Sequence, residues 1–260
     1  MRGFYRRFRA LFIKKPRFKE NFELKELARE FDRAIIFGSS ETINDIDVKK
    51  FANDCVITVG NFHEHSDINV LKPNMHIFAA SHPPITKEVL SNWYKRCDER
   101  LPKRTPVLIE RRDLDLAKAC FENRKVYAYK YGKGNTLPVD FTKEIMSPWS
   151  VSIVALQLAI YVQCPEIYLL GINHDWQCIK PYLHFYDHSK PSLEYYLHQA
   201  GVEIAYEKQK QPFPKERLYR EYELYQQYEA LKKEAEIKNI EIFNGDSNST
   251  FDVFERKVML

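Results

Sequence analysis

The sequence predicts an α/β fold, a Rossmann-like and mostly parallel sheet with helices on both faces. Three observations carry that prediction. Short apolar runs of strand length recur along the chain, with helix-period segments between them. The first run opens directly into Gly38-Ser39-Ser40, a small-residue turn of the kind that brings backbone close to a phosphate. The intervals between runs are long enough for crossovers and too long for hairpins.

Taken in order, a basic leader comes first. Residues 1–19 carry eight Lys and Arg and no acid, which leaves 32 basic and 36 acidic residues in 20–260, although the whole chain is +4. The body is therefore slightly acidic. A nucleic-acid-binding domain, with positive charge spread over a folded face, is excluded. Phe4, Phe8, Leu11 and Phe12 share one side at helical spacing. The leader thus reads as an amphipathic helix for an anionic membrane surface, or as a helix packed on its own domain. Its longest apolar stretch, Ala10 to Ile13, is too short for a secretory core. A cytoplasmic protein, peripheral on the inner membrane through residues 1–19, is expected. A second helix is predicted over 22–31, with Leu24, Leu27 and Phe31 inward. The domain plan is a helical leader over 1–32 and one Rossmann-like domain over 33–260.

Strands are predicted at 33–37, 56–59, 76–80, 107–110, 126–129, 167–170 and 240–243. Helices are predicted at 86–97, 113–121, 148–163 and 214–237. The 148–163 helix has Ser147 as its candidate cap and Pro148 in its first turn. Its apolar positions mark it as the central buried helix. Asp45 and Asp47, like Asp113 and Asp115, look like paired metal ligands but stand at helix starts, where acids serve as caps. The five cysteines are scattered with no C-x-x-C pair, against a disulfide framework or zinc module. His63 and His65, with the lid histidines, offer zinc ligands, but no third and fourth ligands stand at recognisable spacing, so no metal site and no cofactor are expected.

Ligands in such sheets bind beyond the carboxyl ends of the strands. The polar residues there are Gly38, Ser39, Ser40 and Thr42; Gly60, Asn61, His63 and His65; Ser81 and His82; Asn173, His174 and Asp175; and Asn244 and Ser247. Small polar groups from five strand ends suit a nucleotide. After Gly171 the pattern breaks into a segment rich in His, Asp and aromatics, read as a lid over about 174–212. Within it, His184 and His188 lie four apart with Tyr186 and Asp187 between, a source of acid–base chemistry near neutral pH.

These residues resemble the bacterial sialyltransferases of glycosyltransferase family 42, the Campylobacter type that uses CMP-activated nonulosonic acids. The resemblance spans about 33–250. Ile35 to Ile43 stands where the family has its first strand and Gly-Asn-Gly-Pro-Ser-Leu turn, with Ser39 and Glu41 in place of Asn and Pro. Val59-Gly60-Asn61-Phe62 resembles the second strand end, whose Asn contacts the nucleotide. Ser150-Val151-Ser152 falls where the family has Thr-Ser-Gly against CMP. Glu166 to Asn173 is similar to Glu-Ile-Tyr-Leu-Ser-Gly-Ile-Asp, with Asn173 for the last Asp. His184-Phe185-Tyr186-Asp187-His188-Ser189-Lys190 resembles the lid motif His-Tyr-x-x-His-Ser-Lys.

The resemblance implies a single-domain GT-A-like variant with a lid insertion. It implies an inverting, metal-independent transferase that moves a sialic-acid-like nonulosonate, or Kdo, from CMP to a glycan or lipooligosaccharide hydroxyl. It gives His188 as general base and Tyr182 as a phosphate-side tyrosine. On the donor it implies Gly38, Ser39, Ser40, Asn61, His82, Ser150, Ser152, Gly171 and Asn173. The implied partners are the CMP-sugar and a glycan or lipid-linked acceptor. The charged 214–237 helix leaves a homo-oligomer open. The competing readings are a pterin-type pyrophosphokinase using Mg²⁺ and ATP, and a non-catalytic binding protein.

Overall fold

The computed structural model describes residues 18–132, 138–174, 184–204 and 215–259. The leader before residue 18 and the lid residues 175–183 and 205–212 therefore lie outside the described residues.

Nine strands form one sheet: β1 (Arg33–Phe37), β2 (Cys55–Val59), β3 (Met75–Ile77), β4 (Val107–Glu110), β5 (Val126–Tyr131), β6 (Glu144–Ile145), β7 (Glu166–Leu170), β8 (Glu241–Asn244) and β9 (Glu255–Arg256). The spatial order is β6-β5-β4-β3-β2-β1-β7-β8-β9. Every neighbouring pair is parallel. The predicted class therefore holds. The order reverses between β1 and β7, and that switch point is where such sheets open a crevice.

A sheet covered on both faces needs strands that feed two cores, and β1 does so residue by residue. Ala34 and Ile36 join the core under the central helix, while Ile35 and Phe37 join the opposite one. β7 alternates in the same phase, with Ile167 and Leu169 on one side and Tyr168 and Leu170 on the other. Each fully buried Ile or Leu contributes roughly 1.5–3 kcal/mol relative to exposure.

Among the described residues six α-helices complete the layers: α1 (Ile68–Leu71), α2 (Lys87–Arg100), α3 (Leu114–Cys120), α4 (Val151–Tyr161), α5 (Leu193–Gln199) and α6 (Lys215–Ile237). Helix α4 is buried all round from Ser152 to Tyr161, as its continuous apolar sequence requires. Its one buried amide, Gln157, is satisfied by the backbone N–H and C=O of Met146, which ties the helix to β6. Helix α2 is capped by Thr86, whose hydroxyl accepts from the Val89 N–H. Its far end is closed by buried Arg124, which donates to the carbonyls of Asp98, Leu101, Pro102 and Thr105.

Several local expectations are corrected. The 22–31 helix is a 3-10 segment, Lys19–Ala28. Buried Asn21 donates to the carbonyls of Ala128 and Phe141, pulling the segment against β5. Residues 21, 24 and 28 face inward, and Leu27 and Phe31 are only partly buried. Strand β3 stops at Ile77: the Phe78 N–H still donates to the Leu108 carbonyl, but the Phe78 carbonyl accepts from the Tyr129 hydroxyl and the Ala80 N–H donates to Tyr131. Ser150, not Ser147, caps α4, and the Ser147 carbonyl instead accepts from Gln227. Asp113 caps nothing; its carboxylate takes both the N–H and the hydroxyl of Ser81. Asp47 is a cap, for the short turn Val48–Phe51. The edge strands β6 and β9, two residues each, are too short to leave a period in the sequence. The lid segment contains a helix, α5, whose Leu197 packs with Val89 of α2 and with Ile204.

Candidate functional site

The site grows from the turn after β1. The Gly38 N–H donates to the Leu170 carbonyl at 2.7 Å and the Ser40 N–H to the Gly171 carbonyl at 3.0 Å, so the β1 and β7 turns are zipped together. That approach needs glycine: a Cβ on Gly38 would stand 2.2 Å from the Gly171 carbonyl oxygen. Gly171 itself has φ +66°. Across this turn runs the lid segment. Ser40 and His184 form a single antiparallel bridge, and the Phe185 N–H donates to the Ser39 carbonyl at 3.2 Å.

The bridge sets His184 and His188 at the switch point. His184 Nδ1 and His188 Nε2 are 2.7 Å apart, so one ring donates to the other. His184 stacks on Tyr186 at 4.8 Å between centroids and 8° between planes. Below them, Asn173 donates from Nδ2 to the Ser40 hydroxyl at 2.7 Å. Its Oδ1 is buried with no hydrogen-bond partner.

On the β2 side, Gly60 turns the chain with φ +58°. Its carbonyl oxygen lies 3.0 Å from His63 Nδ1 and 3.0 Å from His76 Nε2. A carbonyl only accepts, so both nitrogens carry hydrogens, and His76 Nδ1 is left to accept from the Thr58 hydroxyl at 2.8 Å. Burial pushes His63 down to about 3 and His76 well below the usual histidine range, so both rings are neutral. The turn positions Asn61, whose amide is fully engaged. Its Oδ1 accepts from Trp93 Nε1 at 2.6 Å and from the Leu193 N–H at 3.0 Å. Its Nδ2 donates to the Tyr186 hydroxyl at 2.7 Å and to Glu194 Oε2 at 2.8 Å.

On the β7–β8 side, a chain of hydroxyls leads from the start of α4. Ser150 and Ser152 are 2.7 Å apart, Ser152 and Tyr228 2.6 Å, and Tyr228 and His174 Nε2 2.8 Å. Asp246 Oδ2 accepts from the Gly171 N–H at 2.8 Å and from the Thr42 hydroxyl at 3.2 Å. Burial pushes its carboxyl up to about 6, against the donors that lower it. It also lines a cavity of about 360 Å³ with Thr42, Asp45, Asp47 and Lys50.

The structure thus brings together Gly38, Ser39, Ser40, Gly171, Asn173 and, through His184, His188. Asn61 joins them through Tyr186, which lies between the two histidines in sequence. Ser150 and Ser152 connect to His174, the neighbour of Asn173. His82 stands apart, exposed beyond β3, with its Nδ1 2.9 Å from the Pro83 carbonyl oxygen. Tyr182 lies outside the described residues. Sequence reasoning missed Glu194, Trp93, Tyr228 and the burial of Asp246. Glu194 lies behind the Ser192 cap of α5, in a segment the sequence marks only as lid, and Asp246 lies in the turn Asn244-Gly245-Asp246-Ser247. Two groups of three metal-capable side chains stand together among the described residues, His63, His76 and Cys97, and His184, His188 and Glu194; the sequence offered His63 and the lid histidines as ligands, but not His76, Cys97 or Glu194.

No family model and no curated protein matches the chain. Solved structures similar to it include a tyrosine-to-phenylalanine variant of the sialyltransferase CST-II in complex with CMP. That structure is 14% identical over 87% of this chain and 86% of the other, with a TM-score of 0.50. Another is the sialyltransferase CST-II in complex with a trisaccharide acceptor and CMP, 13% identical over 87% and 86%, with a TM-score of 0.48. At the higher score the likeness is one of fold, and it agrees with the parallel nine-stranded sheet. No helix among the described residues is long and apolar enough to cross a membrane.

Proposed function

We propose that the protein is an inverting glycosyltransferase that moves a sialic-acid-like nonulosonate, or Kdo, from its CMP donor to a hydroxyl of a glycan or lipid-linked acceptor. One observation carries the reading: the His184–His188 pair is stitched across the Gly38-Ser39-Ser40 turn at the sheet's switch point. The CMP and trisaccharide bound in the CST-II structures support the same donor and acceptor classes.

The acceptor oxygen attacks the anomeric carbon from the face opposite CMP. Its proton passes to His188, the new glycosidic C–O bond forms, and the bond to the CMP phosphate oxygen breaks with its electron pair leaving on the phosphate. His184 fixes the ring orientation and tautomer of His188. The Ser150 and Ser152 hydroxyls and the first amides of α4 are donors for the charge that develops on the phosphate, a task that needs no metal. The Asn173 Oδ1, a buried acceptor without a donor, suits a hydroxyl or amine of the nucleotide. A lid that closes over the donor keeps water out and limits hydrolysis.

General-base help is worth roughly 10²–10⁴-fold, so His188→Ala should lose that much turnover. CMP affinity, measured calorimetrically, should be unchanged. Unaltered turnover in that variant overturns the assignment. Thermal stabilisation by CMP without added metal supports the transferase, and stabilisation by Mg-ATP instead would replace it with a kinase. The basic leader serves as a peripheral contact to anionic membrane. Deleting residues 1–19 should release the chain from anionic vesicles and spare transfer to soluble acceptors.

A further inference from the structure

We propose that His184, His188 and Glu194 form a chelating site for a transition-metal cation of the Zn²⁺ class, and that occupancy switches the His188 base off. The second half rests on the proposed role of His188; the first does not.

The ligand atoms of these three residues lie within 4.8 Å of one another. Two imidazoles and one carboxylate are a donor set that suits zinc, with a fourth position open. The histidine nitrogens stand 2.7 Å apart. Two nitrogens on one tetrahedral Zn²⁺ with bonds of about 2.0–2.1 Å sit about 3.3 Å apart, so a small opening of the pair admits the ion in place of the shared hydrogen. The carboxylate is already oriented. Glu194 is 5% exposed, and its Oε2 accepts from Asn61 Nδ2 at 2.8 Å and from the Tyr186 hydroxyl at 3.1 Å. Such outer partners hold a metal ligand in register. Both histidines are half-buried, which leaves the ion a route from solvent.

The other metal-capable group does not compete. His76 spends Nδ1 on Thr58 and Nε2 on Gly60, and binding an ion there would dismantle the β2 turn. All three of its members are fully buried. A hard cation such as Mg²⁺, which favours oxygen ligands and retains its waters, is a poor match for two imidazoles. Coordinated through Nε2, a neutral His188 must carry its hydrogen on Nδ1, so the lone pair that would take the acceptor's proton is lost. Zinc would then act as a reversible brake on transfer without taking part in it.

The test is calorimetric titration of the chelator-treated full chain with ZnCl₂, with MgCl₂ as the contrast. One equivalent of Zn²⁺ should bind and Mg²⁺ should not. His184→Ala and Glu194→Gln should each weaken binding by at least about 10-fold, as should Tyr186→Phe, which removes only the hydroxyl that orients Glu194. Cys97→Ala should leave binding unchanged. Equal Zn²⁺ affinity in the wild type and all three variants overturns the site, as does loss of binding in Cys97→Ala. Where a variant fails to fold, Co²⁺ on the wild-type chain decides: a tetrahedral spectrum without a thiolate band supports the assignment, and a thiolate charge-transfer band overturns it. Zinc that binds without slowing an active transferase overturns the brake. Zinc binding retained by a chain that transfers no sugar counts against the proposed function alone.

Discussion

The two turns that flank β1 at the switch point solve the same geometric problem in opposite ways. On the β2 side every hydrogen-bonding group of Asn61 has a partner, and the Gly60 carbonyl is doubly held by neutral histidines. On the β7–β8 side, Asn173 Oδ1 and Asp246 Oδ1 are buried acceptors with no partner. Buried polar groups are normally satisfied, because leaving one unpaired costs about 1–3 kcal/mol. Asn61 is therefore scaffold, while Asn173 and Asp246 retain acceptor capacity for something that arrives later; on the β2 side the one buried acceptor left over is a ring nitrogen, His63 Nε2. Equal polarity in the sequence conceals this difference in role.

The comparison breaks most sharply at Gly38. A methyl there meets the Gly171 carbonyl rather than a flexible side chain. Gly38→Ala should cost about 3 kcal/mol or more. In a chain of this size that lowers Tm by roughly 6–12 °C, readable by calorimetry.

Acid should separate the two turns next, with opposite signs. His63 is pushed to about 3 by burial, so the folded ring refuses a proton that the unfolded chain takes up below its ordinary value. Its contribution is constant above pH ~6.5 and falls by about 1.4 kcal/mol per pH unit below it, or about 2 kcal/mol by pH 5. His76 adds in the same direction. Asp246 runs the other way. Its folded carboxyl binds a proton at about 6, whereas the ordinary value is 3.8, so it gains stability as pH falls through that window. Denaturant unfolding of Asp246→Asn should show a steeper acid loss than wild type between pH 6 and 4. An unchanged slope would mean that Asp246 is not desolvated.

A paired substitution sharpens the contrast further. Asn61→Ala strips partners from Trp93 and Glu194 and should cost about 2 kcal/mol, seen in urea melts. Asn173→Ala loses one bond to Ser40, about 1 kcal/mol, yet should weaken CMP binding by roughly 10-fold, seen by calorimetry. A stability effect of the same small order belongs to Gly60→Ala. The nearest atom to its added Cβ is the Ser39 hydroxyl at 3.9 Å, which leaves only the positive φ to penalise, about 1–2 kcal/mol.

The strand and helix skeleton was legible because buried parallel strands are continuous apolar runs, as at 33–37 and 107–110, and because α4 is apolar on every side. The turn residues Gly38, Ser40 and Gly171 could be read because a strand ending in a small residue marks the crevice. What could not be read depends on contacts between distant segments. Glu194 becomes part of the site only when Asn61, 133 positions earlier, donates to it. The 3-10 geometry of 19–28 follows from Asn21 reaching Ala128 and Phe141, which no local period encodes. Asp113 resembled a cap because its true partner, Ser81, lies on another strand end.

The placing of β1 beside β7 also fixes when the site can exist during synthesis. Ser40 and Asn173 are separated by 133 residues. At ribosomal speeds of about 5–20 residues per second, the first strand emerges roughly 7–27 s before the partner that completes its turn. Strands β1 to β5 can pair in the order in which they leave the tunnel, each against its predecessor. The crevice forms only with β7, so a chain truncated before residue 166 would carry six of the nine strands with buried β1 left at an open edge.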